Sequence, residues 1–150
     1  MILDKKHEMQ RKLFRQFAET EFTKEIQDEL DETGEFNWDM HKKMARYGFM
    51  GVKIPKEYGG AGADVLSYAM CVEELAKVCC TTAVIVSAHT SLCAAPIFEN
   101  GTEEQKMKYL PDLCSGRKIG AFGLTEPGAV PMLRASRPPL SWTSPARTTS

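Results

Sequence analysis

Residues 64–76, DVLSYAMCVEELA, and residues 81–98, TTAVIVSAHTSLCAAPIF, decide the fold class of this chain. Asp64 is a good helix N-cap, and apolar residues follow it at steps of three and four, which predicts an amphipathic helix. The predicted buried side of that helix is Val65, Leu66, Ala69, Val72, Leu75 and Ala76. The second stretch is apolar on nearly all sides, so we expect a helix beginning at Thr81 or Thr82 in the centre of a bundle.

Three further helices are predicted around this pair. Their N-caps and terminating glycines are, in chain order, Asp4 and Gly34, Asn37 and Gly48, Thr102 and Gly116. Gln105 completes a capping box with Thr102. The inward faces of the first two are predicted to carry Met9, Leu13, Phe14, Phe17, Ile26, Leu30, Trp38, Met44 and Tyr47. Residues 59–62 are expected to form a turn, and residues 119–124 to be strand-like.

Composition excludes several classes of protein. The chain has 150 residues, 43% of them hydrophobic, which is enough for the core of one domain. A net charge of −1 gives no electrostatic reason to expect nucleic acid as a partner. The N-terminus lacks a signal-peptide core, and residues 83–98 are too few and too polar for a comfortable membrane span. We therefore expect a cytoplasmic protein that does not bind a membrane.

Metal sites and catalytic groups are not supported by the residue pattern. The five cysteines include no C-x-x-C pair, so we interpret them as reduced, packed side chains and expect no metal. Adjacent acids at 73–74 and 103–104 diverge on helix surfaces and cannot work as an acid/base pair. We expect His7 and His41 to face solvent, and His89 to be packed and hydrogen-bonded. No catalytic residue is assigned.

Residues 120–129, GAFGLTEPGA, carry the one segment with binding chemistry. Backbone N–H groups and a threonine hydroxyl here can bind the polar edge of a heteroaromatic ring, while apolar neighbours cover its face. A strand that simply ends in a turn explains the same residues. The residue chemistry alone leaves both interpretations open and favours the turn.

Five motifs, in order and at matching spacing, resemble the acyl-CoA dehydrogenase family, especially its butyryl-CoA (short-chain) members. They are YGGAG at 58–62, VEELA at 72–76, SLCAAPI at 91–97, GTEEQK at 101–106 and GAFGLTEPGA at 120–129. Together they cover essentially residues 1–129. The resemblance implies a mainly α fold, with residues 1–117 as an N-terminal helical domain. Residues 118–129 would be the first strand and flavin loop of a middle β-domain.

The same resemblance implies the cofactor, the substrate and the partners. FAD would contact Phe122, Gly123, Leu124 and Thr125, with the threonine hydroxyl on the pyrimidine edge. Ser87, Thr90 and Ser91 would help to wall the cavity for a short-chain acyl-CoA, although core packing explains them equally well. The family passes electrons to an electron-transferring flavoprotein and usually forms a homotetramer.

The family reaction is α,β-dehydrogenation of an acyl-CoA, in which a glutamate of a C-terminal helical bundle removes the α-proton. That glutamate has no counterpart in this chain, so we expect the chain by itself to be inactive. An acyl-CoA oxidase or nitroalkane oxidase relative remains an alternative among flavoenzymes. A helical interaction module without catalysis or cofactor is the alternative from a different class.

The pattern changes at Val130. Residues 130–150, VPMLRASRPPLSWTSPARTTS, contain four of the eight prolines and no acidic residue. The codons of Val, Pro and Met are GTN, CCN and ATG, and restoring one nucleotide before them regroups the bases as xGT, NCC and NAT. These triplets can encode Gly, Thr and Asp, with which the family pattern continues. We therefore hypothesise that residues 130–150 are a frameshifted, disordered tail.

Overall fold

Helices account for most of residues 3–124, which are the residues that the computed structural model describes. The α-helices are α1 (Lys5–Glu21), α2 (Lys24–Thr33), α3 (Trp38–Arg46), α4 (Val65–Ala76), α5 (Cys80–Ser87), α6 (Ala95–Asn100) and α7 (Glu103–Cys114). Two 3-10 turns, Phe49–Gly51 and Lys56–Tyr58, lie between α3 and α4. A π-helical segment, Ala88–Ala94, joins α5 to α6. The predicted contact at Thr125 and the predicted tail lie outside the described residues.

The four predicted N-caps are confirmed. The side chains of Asp4, Asn37 and Asp64 each accept a backbone N–H three residues later at 2.8 Å. Thr102 and Gln105 form the full capping box at the start of α7. Each cap satisfies a donor that the first helical turn leaves without a partner, and this fixes where the helix begins.

The prediction of one continuous helix from Asp4 to Gly34 is wrong. The chain leaves α1 at Phe22, whose side chain turns into the core and is 2% exposed, and Thr23 then begins α2. Burying this ring, edge-on to Phe17, outweighs the helical hydrogen bonds lost at the break. Gly34 ends α2 in the left-handed conformation, as predicted.

Several apolar residues that were predicted to face inward are exposed. These are Met9 and Leu13 in α1, Trp38 in α3, Tyr47 after it, and Val65, Ala69 and Ala76 in α4. The buried side of α4 is Ser67, Met70, Cys71, Glu74 and Leu75, of which only Leu75 was predicted. Two of these five are polar and are paired with side chains of α1, so the rule that buried faces are apolar gave the wrong rotation of α4.

The interface between α1 and α4 is built on a buried carboxylate. The Glu74 side chain is 0% exposed, and its oxygens accept from Arg11 Nε at 2.7 Å, Arg15 Nε at 2.9 Å and Lys77 Nζ at 2.9 Å. The Arg15 hydrogen bond, with help from Arg11 and Lys77, holds the pKa of Glu74 well below its usual value. Because a buried charge is costly without partners, these contacts fix the register of the two helices.

The helical run Cys80–Asn100, which comprises α5, the π segment and α6, is central to the bundle, as predicted. Ala83 and Val86 pack in one core cluster with Phe49, Met50 and Leu75. Ala94 packs in a second cluster with Ile54, Leu110 and Leu113. Among the described residues it is also the one helix long and apolar enough to cross a membrane by composition, a test that core helices pass too.

The loop from Phe49 to Ala63 folds back on itself, and the predicted glycine turn is confirmed. Ala61 N donates to Gly51 O and Gly62 N to Ile54 O, both at 2.9 Å. A Cβ on Gly60 would lie 2.0 Å from Ile54 O, so only glycine fits there. Further on, residues 119–124 form no strand within the described part of the chain, because no neighbouring strand there supplies a ladder.

We predict that Glu74→Ala lowers the free energy of unfolding by about 2 kcal/mol at pH 7, measured by urea denaturation. The loss is below the roughly 3–5 kcal/mol typical of a fully buried pair, because Arg11 and Arg15 reach solvent. The folded-state pKa of Glu74 is lowered, so its contribution is present above the unfolded pKa of about 4.3 and fades as pH falls below it.

Glu73→Ala is the matched control, since Glu73 is half-exposed and contacts two of the same partners, Arg11 and Lys77. It should cost below about 1 kcal/mol. Equal losses for the two variants would show that the buried carboxylate does not organise the interface.

Candidate functional site

The predicted site residues fall into two groups. Ser87 ends α5, and Thr90 and Ser91 lie in the π segment that follows. Phe122 and Leu124 come after α7 and are 56% and 77% exposed. Gly123 lies between them, whereas Thr125 is beyond the described residues. The first group therefore belongs to the bundle, and the second to the segment that leaves it.

The three hydroxyl groups of the first group differ in their surroundings. Ser91 Oγ donates to the Ser87 carbonyl at 2.7 Å, so it is already used within its own helix. Ser87 Oγ is 3.4 Å from the hydroxyl of Tyr68. Thr90 is fully buried, and its hydroxyl has no partner among the described residues. A π-helical segment is rare and is often found at functional sites.

The two groups meet where His89 contacts Gly120. The backbone N–H of Gly120 donates to His89 Nδ1 at 2.9 Å, in a buried contact. A Cβ on Gly120 would lie 2.6 Å from both Cβ and Sγ of Cys93, so only a glycine lets the segment come this close to the π segment. The prediction that His89 is packed and hydrogen-bonded is confirmed.

A second histidine holds the other end of this connection. His41 Nε2 donates to the Gly116 carbonyl at 2.9 Å, and His41 is 1% exposed. Gly116 has φ +70°, and a Cβ there would lie 2.4 Å from Cβ of Ala45. Residues 116–120 are therefore fastened at both ends, by a histidine from α3 and one from the π segment.

The prediction that His7 and His41 face solvent is wrong. His7 Nε2 contacts Asp64 Oδ2 at 2.8 Å and its side chain is 13% exposed, because it links the N-caps of α1 and α4. His41 lies three residues after Trp38 and three before Met44, on the stripe that was predicted to face inward. The spacing therefore indicates burial of His41, whereas the neighbouring lysines indicate a solvent-exposed position.

Both buried histidines have defined tautomers. His89 Nδ1 accepts a hydrogen bond, so its proton is on Nε2, and His41 Nε2 donates, so its proton is on that atom. Burial, and then the neighbouring His41, lowers the pKa of His89. The imidazole is therefore neutral at pH 7, and its Nδ1 lone pair is available to Gly120.

The segment beyond Gly120 has the surface that a planar ring requires. Phe122 and Leu124 present apolar side chains, and no heavy atom lies within 4 Å of the position of a Cβ on Gly123. Within the described residues, the backbone groups of residues 122–124 make no backbone hydrogen bond. We call residues 122–124 the open strip, since they offer N–H donors beside exposed apolar side chains.

A cleft in the described part of the chain lies elsewhere. It holds about 560 Å³ between α2, α3 and the start of α5, and its walls include Phe22, Leu30, Phe36, Met40 and Ile85. None of the predicted site residues lines it. The five cysteines are free; Cys71 and Cys114 are buried but Cys80 is exposed. In the part of the chain described, no three His, Cys, Asp or Glu side chains group as metal ligands.

Known proteins resemble this chain over most of its length. The family described as "Acyl-CoA dehydrogenase, N-terminal domain" matches residues 4–117. The short-chain specific acyl-CoA dehydrogenase of Clostridium acetobutylicum is 60% identical over 127 residues, which are 85% of this chain and 33% of that protein. The chain thus spans about a third of the length of this curated relative.

Two solved structures share the fold. Butyryl-CoA dehydrogenase from Megasphaera elsdenii matches with a TM-score of 0.78 and 40% identity, over 87% of this chain and 34% of that one. A chain from a structure described as the electron transferring flavoprotein of Acidaminococcus fermentans matches with a TM-score of 0.79 and 45% identity. That match covers 86% of this chain and 34% of the other.

We predict that Gly120→Ala lowers the free energy of unfolding by about 1–3 kcal/mol, because the new methyl group overlaps Cys93. Gly123→Ala is the control, since its methyl group would enter open space, and it should change stability by less than about 0.5 kcal/mol. Thermal unfolding of both variants provides the comparison. A Gly120→Ala protein as stable as the parent would mean that the segment does not pack against the π segment.

Proposed function

This chain belongs to the acyl-CoA dehydrogenase family, and we propose that it is the N-terminal helical domain of a flavin-dependent dehydrogenase of short-chain acyl-CoA thioesters. The observation that carries the proposal is the 60% identity to a relative named as short-chain specific. The exposed apolar strip of Phe122 and Leu124 supports it, since it has the chemistry of a ring contact.

The proposed domain division follows the predictions. Residues 1–117 form the helical domain, and residues 118–129 begin the β-domain with its flavin loop. Residues 130–150 replace the rest of that domain in a shifted frame. The Clostridium acetobutylicum relative is about three times longer than the matched segment. Its additional length is enough for a β-domain and a C-terminal bundle.

The cofactor of the family is FAD, and a relative in the same fold is known with it bound. When bound, FAD accepts a hydride from the β-carbon of the thioester. The residues of this chain that would hold it are Phe122 and Leu124 against the ring, with the backbone of Gly123 and the hydroxyl of Thr125 towards its polar edge. The exposure of Phe122 and Leu124 leaves these two side chains free to take this role.

The acyl chain would lie against the start of the π segment. Ser87 and Ser91 are half-buried there and would present a mixed polar and apolar wall, and Thr90 would support it from within the core. We assign removal of the α-proton to a glutamate in the C-terminal bundle of the longer family protein.

The proposed partners are those of the family. Electrons would pass to an electron-transferring flavoprotein, which the resemblance to the Acidaminococcus structure supports. The intact protein would be a homotetramer in the cytoplasm, without a membrane or nucleic acid partner. The helical run Cys80–Asn100 would then serve as the core helix of a soluble protein, consistent with its packing in both core clusters.

A chimeric protein tests the proposal. Residues 3–124 of this chain replace the matching segment of the Clostridium acetobutylicum relative, and the purified product is examined by absorption spectroscopy. We expect a flavin spectrum that bleaches when butyryl-CoA is added. A chimera that folds cooperatively but holds no flavin would support the helical interaction module instead.

We predict that Leu124→Asp raises the FAD dissociation constant of this chimera at least tenfold, equivalent to about 1.4 kcal/mol, because a carboxylate replaces apolar cover on the ring. Met107→Asp on α7 is the matched control, since Met107 is also an exposed apolar residue but lies far along the chain from the strip. It should leave the dissociation constant unchanged. Equal effects of the two substitutions on the dissociation constant would show that Leu124 does not contact the flavin.

A further inference from the structure

Two buried histidines hold residues 116–120, which connect the helical bundle to the open strip, residues 122–124. His41 of α3 donates to the Gly116 carbonyl, and His89 of the π segment accepts from the Gly120 N–H, both at 2.9 Å. Gly120 is two residues before Phe122, so the position of its amide sets where the strip begins. We call His41, His89, Gly116 and Gly120 the histidine clasp.

The clasp is specific in direction as well as position. One histidine donates to the carbonyl of Gly116 and the other accepts from the N–H of Gly120, so each end of the segment is held through a different backbone group. Neither glycine has room for a side chain, because Ala45 lies against Gly116 and Cys93 against Gly120. These close contacts restrict how residues 116–120 can pack against the bundle. Breaking the hydrogen bond would also be costly, because it would leave a buried polar group without a partner.

Other contacts place the start of this segment but not its end. Asp112 binds the side chains of Arg117 and Lys118, and its carbonyl accepts from the Lys118 N–H at 3.1 Å. Within the described residues, Gly120 has no other hydrogen-bond partner than His89. The direction in which the chain leaves the bundle therefore depends on this imidazole together with Cys93, which packs against Gly120 and faces the backbone N–H of Ala121.

We propose that His89, supported by His41, is a positioning residue for the flavin, which orients Phe122, Gly123 and Leu124 through its hydrogen bond to Gly120. The inference rests on the proposed function and adds to it a residue that does not touch the cofactor. The imidazole acts only through backbone position. His89 is therefore not a catalytic residue.

The chemistry of the imidazole suggests the variants. His89→Leu keeps the volume and removes the acceptor, whereas His89→Asn places a carbonyl oxygen near the former position of Nδ1. Val86→Ala is the control for loss of packing, since Val86 is fully buried one turn earlier in the same helical run. It leaves the clasp intact.

Amide hydrogen exchange of the full 150-residue chain gives the first readout. We expect the Gly120 amide to exchange at least tenfold faster in His89→Leu, with near-parent rates restored in His89→Asn. Val86→Ala should speed exchange of helix amides without singling out Gly120. An unchanged Gly120 rate in His89→Leu would show that the hydrogen bond does not hold the segment, and would overturn the proposal.

The chimera described above gives the second readout. We expect His89→Leu to raise the FAD dissociation constant at least tenfold and to shift the flavin absorption spectrum, His89→Asn to restore both, and Val86→Ala to change neither. Equal effects of His89→Leu and Val86→Ala would reduce His89 to a core residue. Parent-like flavin binding in His89→Leu would overturn the positioning role.

The two readouts separate failure of this inference from failure of the proposed function. A parent chimera that binds no FAD overturns the proposed function, and the flavin role of the clasp with it. A parent chimera that binds FAD, with no selective effect at His89, overturns the clasp alone.

Discussion

The hydrogen bond from the Gly120 amide to His89 Nδ1 joins the core of the bundle to the segment that leaves it. This hydrogen bond requires a buried, neutral imidazole at His89. Burial lowers the pKa of His89 and so favours the neutral form. The hydrogen bond also requires α7 to deliver the chain beside the π segment, and a glycine at the contact. The caps, the core clusters and the central helix all contribute to these conditions, so the geometry of the strip is a property of the whole bundle.

Buried polar groups, more than apolar stripes, set how the helices are arranged. Glu74 fixes α1 against α4 through two arginines, and Ser67 adds a hydrogen bond to Gln10 at 2.7 Å. His41 and His89 then fix the exit segment. Apolar burial supplies most of the driving force but specifies rotation weakly, whereas a buried carboxylate or imidazole is satisfied in few arrangements. The need to satisfy these buried polar groups explains why the charged interface between α1 and α4 has one defined packing arrangement.

Local signals were sufficient to predict the starts of α1, α3, α4 and α7, because a cap and its donor are three residues apart. They also predicted that residues 81–98 are central, because an all-apolar helix is stable only in the middle of a bundle, although that helix begins at Cys80 rather than at Thr81 or Thr82. The break at Phe22 was missed because it depends on a core that the local sequence does not describe. The buried face of α4 was predicted wrongly because a glutamate is usually exposed. The local sequence does not show that Arg11 and Arg15 of α1 lie opposite Glu74. The clasp pairs residues 31 and 75 positions apart, which no local pattern reveals. The position of the strip at residues 122–124 was predicted from the resemblance to the acyl-CoA dehydrogenase family.

Sequencing of the coding DNA beyond the Ala129 codon tests whether this chain is part of a longer flavoprotein. We expect one shifted frame to continue with Gly-Thr-Asp into a β-domain and a helical bundle that contains a glutamate base. No family sequence in any frame over the following several hundred bases would contradict the account. The bundle and its clasp would then belong to a helical protein without a flavin.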